Sequence, residues 1–224
     1  MIRIYIYVVA LLLFAAECVF GQKGLKFGVL FDPTITWFRS DNMNVTPEKA
    51  HTGFNLGMSV DHYFANNYAF TTGVSLFNTG GTLKYANRIE RFSTKNNIAS
   101  IAPDSEIKYR IQYVKIPVAL KFKTHRIGRY VYFANLGFNP MVRTWAKASF
   151  TDENNERYNN ASVTKEVNLF NAGWFFGGGG SYSLGGDAAF FVGISFMSTF
   201  FDTTTMSRDV ITSRNLSLSV GVLF

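Results

Sequence analysis

From residue 25 onward the chain is a succession of stretches in which apolar and polar residues alternate with a period of two, which predicts β-strands with two unlike faces. The last stretch is the clearest. Leu216, Leu218, Val220, Val222 and Phe224 fall on one face, and Ser217, Ser219 and Gly221 on the other, with Leu223 beside them. Seven more precede it, at 25–38, 53–64, 68–84, 107–124, 129–149, 166–184 and 188–202. In the first, Leu25, Phe27, Val29, Phe31, Pro33, Ile35 and Trp37 oppose Lys26, Gly28, Leu30, Asp32, Thr34, Thr36 and Phe38. No capped segment carries a sustained 3.6-residue stripe, and no run of 18 apolar residues follows residue 21, so helices are not expected to build or anchor the domain.

The two faces differ in kind. One is apolar apart from occasional residues such as Thr72; the other is dominated by Gly, Ser, Thr and Asn, with few Lys or Glu at mid-strand. A soluble sandwich or lipocalin-like barrel would put its polar face to water. Small residues suit the crowded interior of an eight-strand barrel instead. The connections alternate between short turns at 65–67, 125–128 and 185–187 and long polar stretches at 39–52, 85–106, 150–165 and 203–212. These features predict an all-β, eight-stranded antiparallel up-and-down transmembrane β-barrel, with both ends in the periplasm and the long loops outside. Trp37, Tyr68, Tyr130, Tyr132 and Trp174 then fall in the interfacial aromatic girdles. The fourth strand breaks rhythm: its apolar row runs Tyr109, Ile111, Tyr113 and then Val114, Ile116, Val118, Leu120, Phe122. A β-bulge near Tyr113–Val114 is the expected repair, since a one-residue slip exchanges the faces. Pro117, which donates no ladder bond, fits an irregular place there.

Residues 1–21 read as a secretory signal peptide: Arg3, an apolar run from Tyr5 to Ala16, and a small residue before Gln22. The run is too short to span a bilayer, which takes roughly 20 residues. Residues 22–224 are then a single barrel domain. Cys18 is the one cysteine, so the barrel has no disulfide or thiolate metal site. With glutamate at position 17, Cys18 makes a poor lipoprotein site. The net charge of +7 suits anionic outer-membrane lipid and lipopolysaccharide phosphates. Nucleic acid is not expected as a partner of an exported chain without a basic cluster. The mean hydropathy is near zero, as alternation requires.

Candidate chemistry is sparse. Gly177–Gly180 lacks the Lys-Ser/Thr of a phosphate loop and is better read as room in a narrow lumen. His51, His62 and His125 are scattered, so no metal or cofactor is expected. His51, with Glu48 and Asp41, is ordinary loop composition, and the expectation is a non-enzymatic protein. Lys26, Asp32, Asp61, Lys115, Lys121 and Arg143 all fall on the inward face, in both signs. Buried charges need partners, so these six are the candidate lumen charge network, a plug rather than a one-sign selectivity ring. Val220, Val222 and Phe224 are the candidate assembly signal for the barrel assembly machinery.

The segment Tyr113-Val-Lys-Ile-Pro-Val-Ala-Leu-Lys-Phe122 resembles a signature of the PorT-like outer-membrane barrels of Bacteroidetes, and Gly53 to Gly81 is similar to their second hairpin. Lys115 stands where that family usually has Glu, so an interior ion pair built on that carboxylate is rewired here. The resemblance implies an integral barrel in the outer membrane of a Gram-negative bacterium. It also implies an accessory or structural role, linked to type IX secretion-system components. A narrow pore for small solutes and a surface adhesin acting through the long loops are the alternatives.

Overall fold

The computed structural model describes residues 24–41, 44–95, 97–205 and 210–224; the segment read as a signal peptide lies outside them. Strands β1 (Leu25–Ser40), β2 (Val45–Ala65) and β3 (Tyr68–Tyr85) follow one another as antiparallel neighbours. A separate small hairpin, β4 (Ile89–Ser93) and β5 (Ile98–Ile101), comes next. The fourth wall strand is in two pieces, β6 (Ser105–Lys115) and β7 (Val118–Lys123). Both pair with β3 on one side and with β8 (Tyr130–Thr151) on the other. Strand β9 (Arg157–Ser162) adds to the far end of β8. Strands β10 (Phe170–Gly185), β11 (Ala188–Thr199) and β12 (Ile211–Leu223) continue the wall, and β12 pairs with β1. The result is a closed antiparallel ring of eight wall strands in chain order, as the alternation predicts.

The two rows point as read. Val29, Phe31, Leu56, Met58, Leu120, Leu136, Val192 and Leu218 lie exposed on the outside. Asp32, Asn55, Asp61, Ser75, Asn139 and Asn171 are buried inside. The short turns close the lower end. Gly128 (φ 64°) and Gly186 (φ 59°) take the left-handed conformation there, which other residues adopt only with strain. In the tetraglycine, Gly177 and Gly179 face inward. A Cβ on Gly177 would stand 2.7 Å from the Ser195 Cβ, and one on Gly179 would run into the Val192 carbonyl. Close approach of the neighbouring strand, not lumen volume alone, requires those two glycines.

Two expectations are corrected. The bulge near Tyr113–Val114 is absent: β3 pairs with β6 without a shift from Tyr85↔Ser105 to Ser75↔Lys115. Odd-numbered positions face inward throughout Ile107–Lys123. What changes along this strand is the chemistry of each face. Above Tyr113 the inner row is apolar and the outer row is Lys108, Arg110 and Gln112; below it the inner row carries Lys115 and Lys121 and the outer row is apolar. The irregularity sits across the ladder, on β8. Gln112 pairs with Trp145 and Tyr113 with Arg143, which leaves Thr144 as the extra residue. At Pro117, which has no N–H to give, the strand is interrupted, and the Ile116 amide instead donates to the Pro140 carbonyl at 3.0 Å.

The second correction concerns the long connections. Much of 39–52, 85–106 and 150–165 is strand rather than polar loop. Strands β2, β3, β6 and β8 continue upward past the apolar outer belt, β9 extends them, and the β4–β5 hairpin closes over the top. The space they enclose is an apolar core of Phe38, Leu83, Phe92, Ile107, Tyr109, Ile111, Phe150 and Ile211, among others. Phe92 meets Phe150 edge-on at 4.7 Å, and Phe150 stacks on Tyr158 at 4.8 Å.

Candidate functional site

Beneath that core, the inward rows enclose a polar chamber of about 130 Å³. Its ceiling is apolar, from Phe77, Phe175 and Met197. Its floor is Phe133 and Phe191, edge-to-face at 6.1 Å, with Leu223 alongside. The polar wall lies between these two layers because the inner residues of β1, β2, β3, β8 and β12 at this level are Asp, Asn, Ser and Thr.

Of the six inward charges read from the sequence, four line this chamber: Asp32, Asp61, Lys115 and Lys121. Asp61 and Lys121 form an ion pair at 2.6 Å with side chains 1% and 9% exposed. The Thr71 hydroxyl donates to the same carboxylate at 2.6 Å, and the Lys121 ammonium lies 5.0 Å from the Phe133 ring centre. Asp32 accepts from the Asn55 amide at 2.7 Å. Its cation is Lys115, which acts on it through charge and lies 5.0 Å from the Phe77 ring centre. The remaining two residues stand elsewhere. Lys26 is at the lower mouth, 3.4 Å from the Asp187 carbonyl. Arg143 is at the joint with the upper core, where its guanidinium donates to the carbonyls of Thr164 and Val167. The sequence placed all six on the inner face but could not assign their depth, which decides who meets whom.

Among the described residues several chamber polar atoms make no hydrogen bond, including Asn55 Oδ1, Ser75 Oγ and Asn135 Oδ1. Buried polar atoms that face a cavity of this size are the usual hosts of ordered water. The buried ion pair tethers the β7 wall to β2 across the lumen, between apolar layers above and below. Among the described residues no group of three or more His, Cys, Asp or Glu could hold a metal ion.

Outside, the apolar belt ends at both levels in aromatics. Trp37, Trp174 and Phe196 cluster at the upper edge, with ring centres 5.7 and 6.4 Å from Phe196. Tyr68 meets Phe122, and Tyr130 meets Tyr182, at the lower edge, at 5.7 and 5.2 Å. Just above the upper edge Arg110 pairs directly across from Lys147, with Lys108 next on the same face. His51, expected in a loop, is in β2 beside them. Its burial and the Lys108 and Arg110 charges hold it below the ordinary histidine range. Val220, Val222 and Phe224 face outward, and Phe224 is tied to Phe27 by two backbone bonds of 2.8 Å.

The sequence model for the outer membrane protein beta-barrel domain family matches residues 20–205. No curated protein matches the sequence. Among solved structures, the chain is similar to Neisserial surface protein A, at 14% identity over 90% of this chain and 98% of that one, with a TM-score of 0.46. It is also similar to OprG from Pseudomonas aeruginosa, at 10% identity over 90% and 95%, with a TM-score of 0.49. A third is Ail, the attachment invasion locus protein of Yersinia pestis, solved with the heparin analogue sucrose octasulfate. That match has 12% identity over 90% and 100%, with a TM-score of 0.42.

Proposed function

The chain belongs to the outer membrane protein beta-barrel domain family and is integral to the outer membrane of a Gram-negative bacterium; from that premise we propose that it is a closed, non-enzymatic barrel that anchors a rigid β-built extension on the cell surface and displays it for recognition. The observation that carries this reading is the change of face chemistry along β6 and β7. Below the change the strands suit lipid outside and a plugged polar lumen inside. Above it they suit water outside and an apolar core inside, as in a soluble domain. A pore needs a continuous polar path, and here the polar chamber ends at Phe133 and Phe191 below and at the apolar core above.

The test pairs two measurements. Purified barrel in planar bilayers gives no discrete conductance, and cells in which residues 87–103 are replaced by a short Gly-Ser link lose attachment to surfaces that wild-type cells bind. Steady channels, or full attachment without the β4–β5 hairpin, overturn the reading.

The likeness of Tyr113–Phe122 to PorT-like barrels supports a second reading, an accessory role with type IX secretion-system components. It predicts cargo held in the periplasm of a deletion strain, with surface attachment unchanged by the hairpin replacement. The outward cations Lys108, Arg110 and Lys147 support lipopolysaccharide phosphates as neighbours. They stand roughly 7 to 14 Å along the strand above the Trp145 level, by the rise per residue. Val220, Val222 and Phe224 support contact with the barrel assembly machinery during insertion.

A further inference from the structure

Below the chamber floor the barrel opens at its short-turn end into a second cavity, of about 360 Å³. Among the described residues its lining carries Lys26, Lys123, His125, Arg126 and Arg129 and no carboxylate. Strand alternation does not account for this. Lys26 and Lys123 come from the inner rows of β1 and β7, whereas the other three come from the turn between β7 and β8. Separate elements thus bring like charges into one concavity, an arrangement that a freely solvated surface would avoid.

The crowding is felt at Lys123. The ammonium is partly buried, and Lys26, Lys121 and Arg126 are its positive neighbours. The carboxylate that acts on it, Asp61, is already paired with Lys121 at 2.6 Å. The Lys123 ammonium also lies 3.9 Å from the centre of the Tyr63 ring, which fixes its place in the mouth. Each arginine has a neutral side-chain partner: Arg126 donates to Ser183 Oγ at 3.1 Å, and Arg129 to the Tyr182 hydroxyl at 3.2 Å. Each such bond uses one of the five N–H donors of a guanidinium.

We propose that this periplasmic mouth is an anion-binding site for a phosphate group, carried by a phospholipid headgroup or free in solution. Its volume is within the ordinary range for ligand pockets. Two forked guanidinium groups and two ammonium groups around one concavity match the several oxygens of a phosphate better than the two of a carboxylate. The bound anion relieves the repulsion that Lys123 experiences, so binding raises barrel stability.

The full chain, folded in detergent, is titrated with inorganic phosphate, with glycerol 3-phosphate and with sodium chloride at matched ionic strength. The thermal midpoint and the phosphorus NMR signal are followed. In parallel, the barrel is placed in nanodiscs with and without phosphatidylglycerol. Phosphate compounds raise the midpoint and chloride does not. Arg126→Gln with Arg129→Gln weakens binding by at least about tenfold, the loss expected for charged hydrogen bonds. Lys84→Gln, at the far end of β3 and paired there with Asp104, leaves binding unchanged. Response to phosphatidylglycerol nanodiscs alone assigns the site to a headgroup; response to the soluble compounds assigns it to free phosphate. Equal response to chloride, no response in any arm, or unchanged affinity in the double variant overturns the proposal. If the double variant lacks the heat-dependent gel shift of a folded barrel, the same titration is read on Lys123→Gln alone. None of these results depends on the display role of the upper half.

Discussion

The lower and upper halves of this barrel are built from the same strands with opposite chemistry. Along β6 and β7 the odd positions always face in and the even positions always face out. In the upper half the inward residues are Ile107, Tyr109, Ile111 and Tyr113, all buried and apolar; in the lower half they include Lys115 and Lys121. The outward residues change in the reverse sense, from Lys108 and Arg110 to Val118, Leu120 and Phe122. The difference shows what each half is held by. Above the membrane, water drives apolar groups inward and the core is stabilised as in a soluble protein. Within the membrane, lipid accepts the apolar residues on the outside. Closure of the strand hydrogen bonds and a paired polar interior then do the stabilising.

The comparison breaks most sharply where each half is attacked on its own terms. Lys121→Met in the lower half leaves Asp61 charged and unpaired; breaking one side of a buried pair costs about 3–5 kcal/mol. Unfolding in denaturant, read by the gel shift, falls accordingly, and adding Asp61→Asn restores most of the loss. A double variant no more stable than Lys121→Met alone shows that the pair is not the source of the cost. Phe92→Ala in the upper half removes a ring that is fully buried against Phe150. A truncation of this kind costs about 3–5 kcal/mol. Here the loss is confined to the cap: protease cuts within residues 86–104 while the gel shift of the barrel is retained. Loss of the gel shift in Phe92→Ala shows that the two halves fold as one unit.

The same substitution on one row, placed at two heights, sharpens the boundary. Val118→Arg puts a cation on the lipid face near mid-depth, where arginine costs about 2–4 kcal/mol. Gln112→Arg is on the same outward row six residues earlier, above the belt. Its cost is that of two side-chain bonds, the 3.2 Å donation to Asn78 and the 3.0 Å bond accepted from Thr144, about 1–2 kcal/mol together. Folding yield into vesicles ranks the two. Equal yields would put the upper edge of the membrane elsewhere than between these residues.

The lower half was legible in the sequence because lipid imposes a strict rule on the outer row, and that rule survives in every wall strand. The strand count, the closing β12 and the inward position of all six charges follow from it. The upper half was not legible for a physical reason. A strand that leaves lipid for water keeps its period of two and exchanges its faces, and a one-residue slip produces the same pattern of letters. The exchange at Tyr113 was therefore read as a bulge, and the true bulge, at Thr144 across the ladder, went unseen. Two signals were available. Gln112, Arg110 and Lys108 are outward cations or amides that no lipid face would carry, and Ala146, Ala148 and Phe150 are apolar at even positions of a strand whose inward row had been odd. Pairing within the lumen was also beyond the sequence. Asp32 and Asp61 differ in partner only through their depth, which the register with β7 and the break at Pro117 determine.

A modest effect belongs to the joint between the halves. Arg143 is the last inward residue of β8 before the bulge, and its guanidinium ties the carbonyls of Thr164 and Val167, on the connection that enters β10, to the wall. It is not paired with a lumen carboxylate among the described residues, so Arg143→Ala strands no buried negative charge. What is lost is a charged donor to two backbone oxygens that water can reach in its place. The cost is about 1.5 kcal/mol, at the weak end for charged hydrogen bonds. The midpoint of barrel unfolding therefore falls slightly. Amide hydrogen exchange around residues 163–168 quickens, and conductance in planar bilayers stays at zero, because the Phe133–Phe191 contact at the chamber floor does not involve Arg143. A steady current through Arg143→Ala would show that this arginine, rather than the apolar layers on either side of the chamber, keeps the barrel shut.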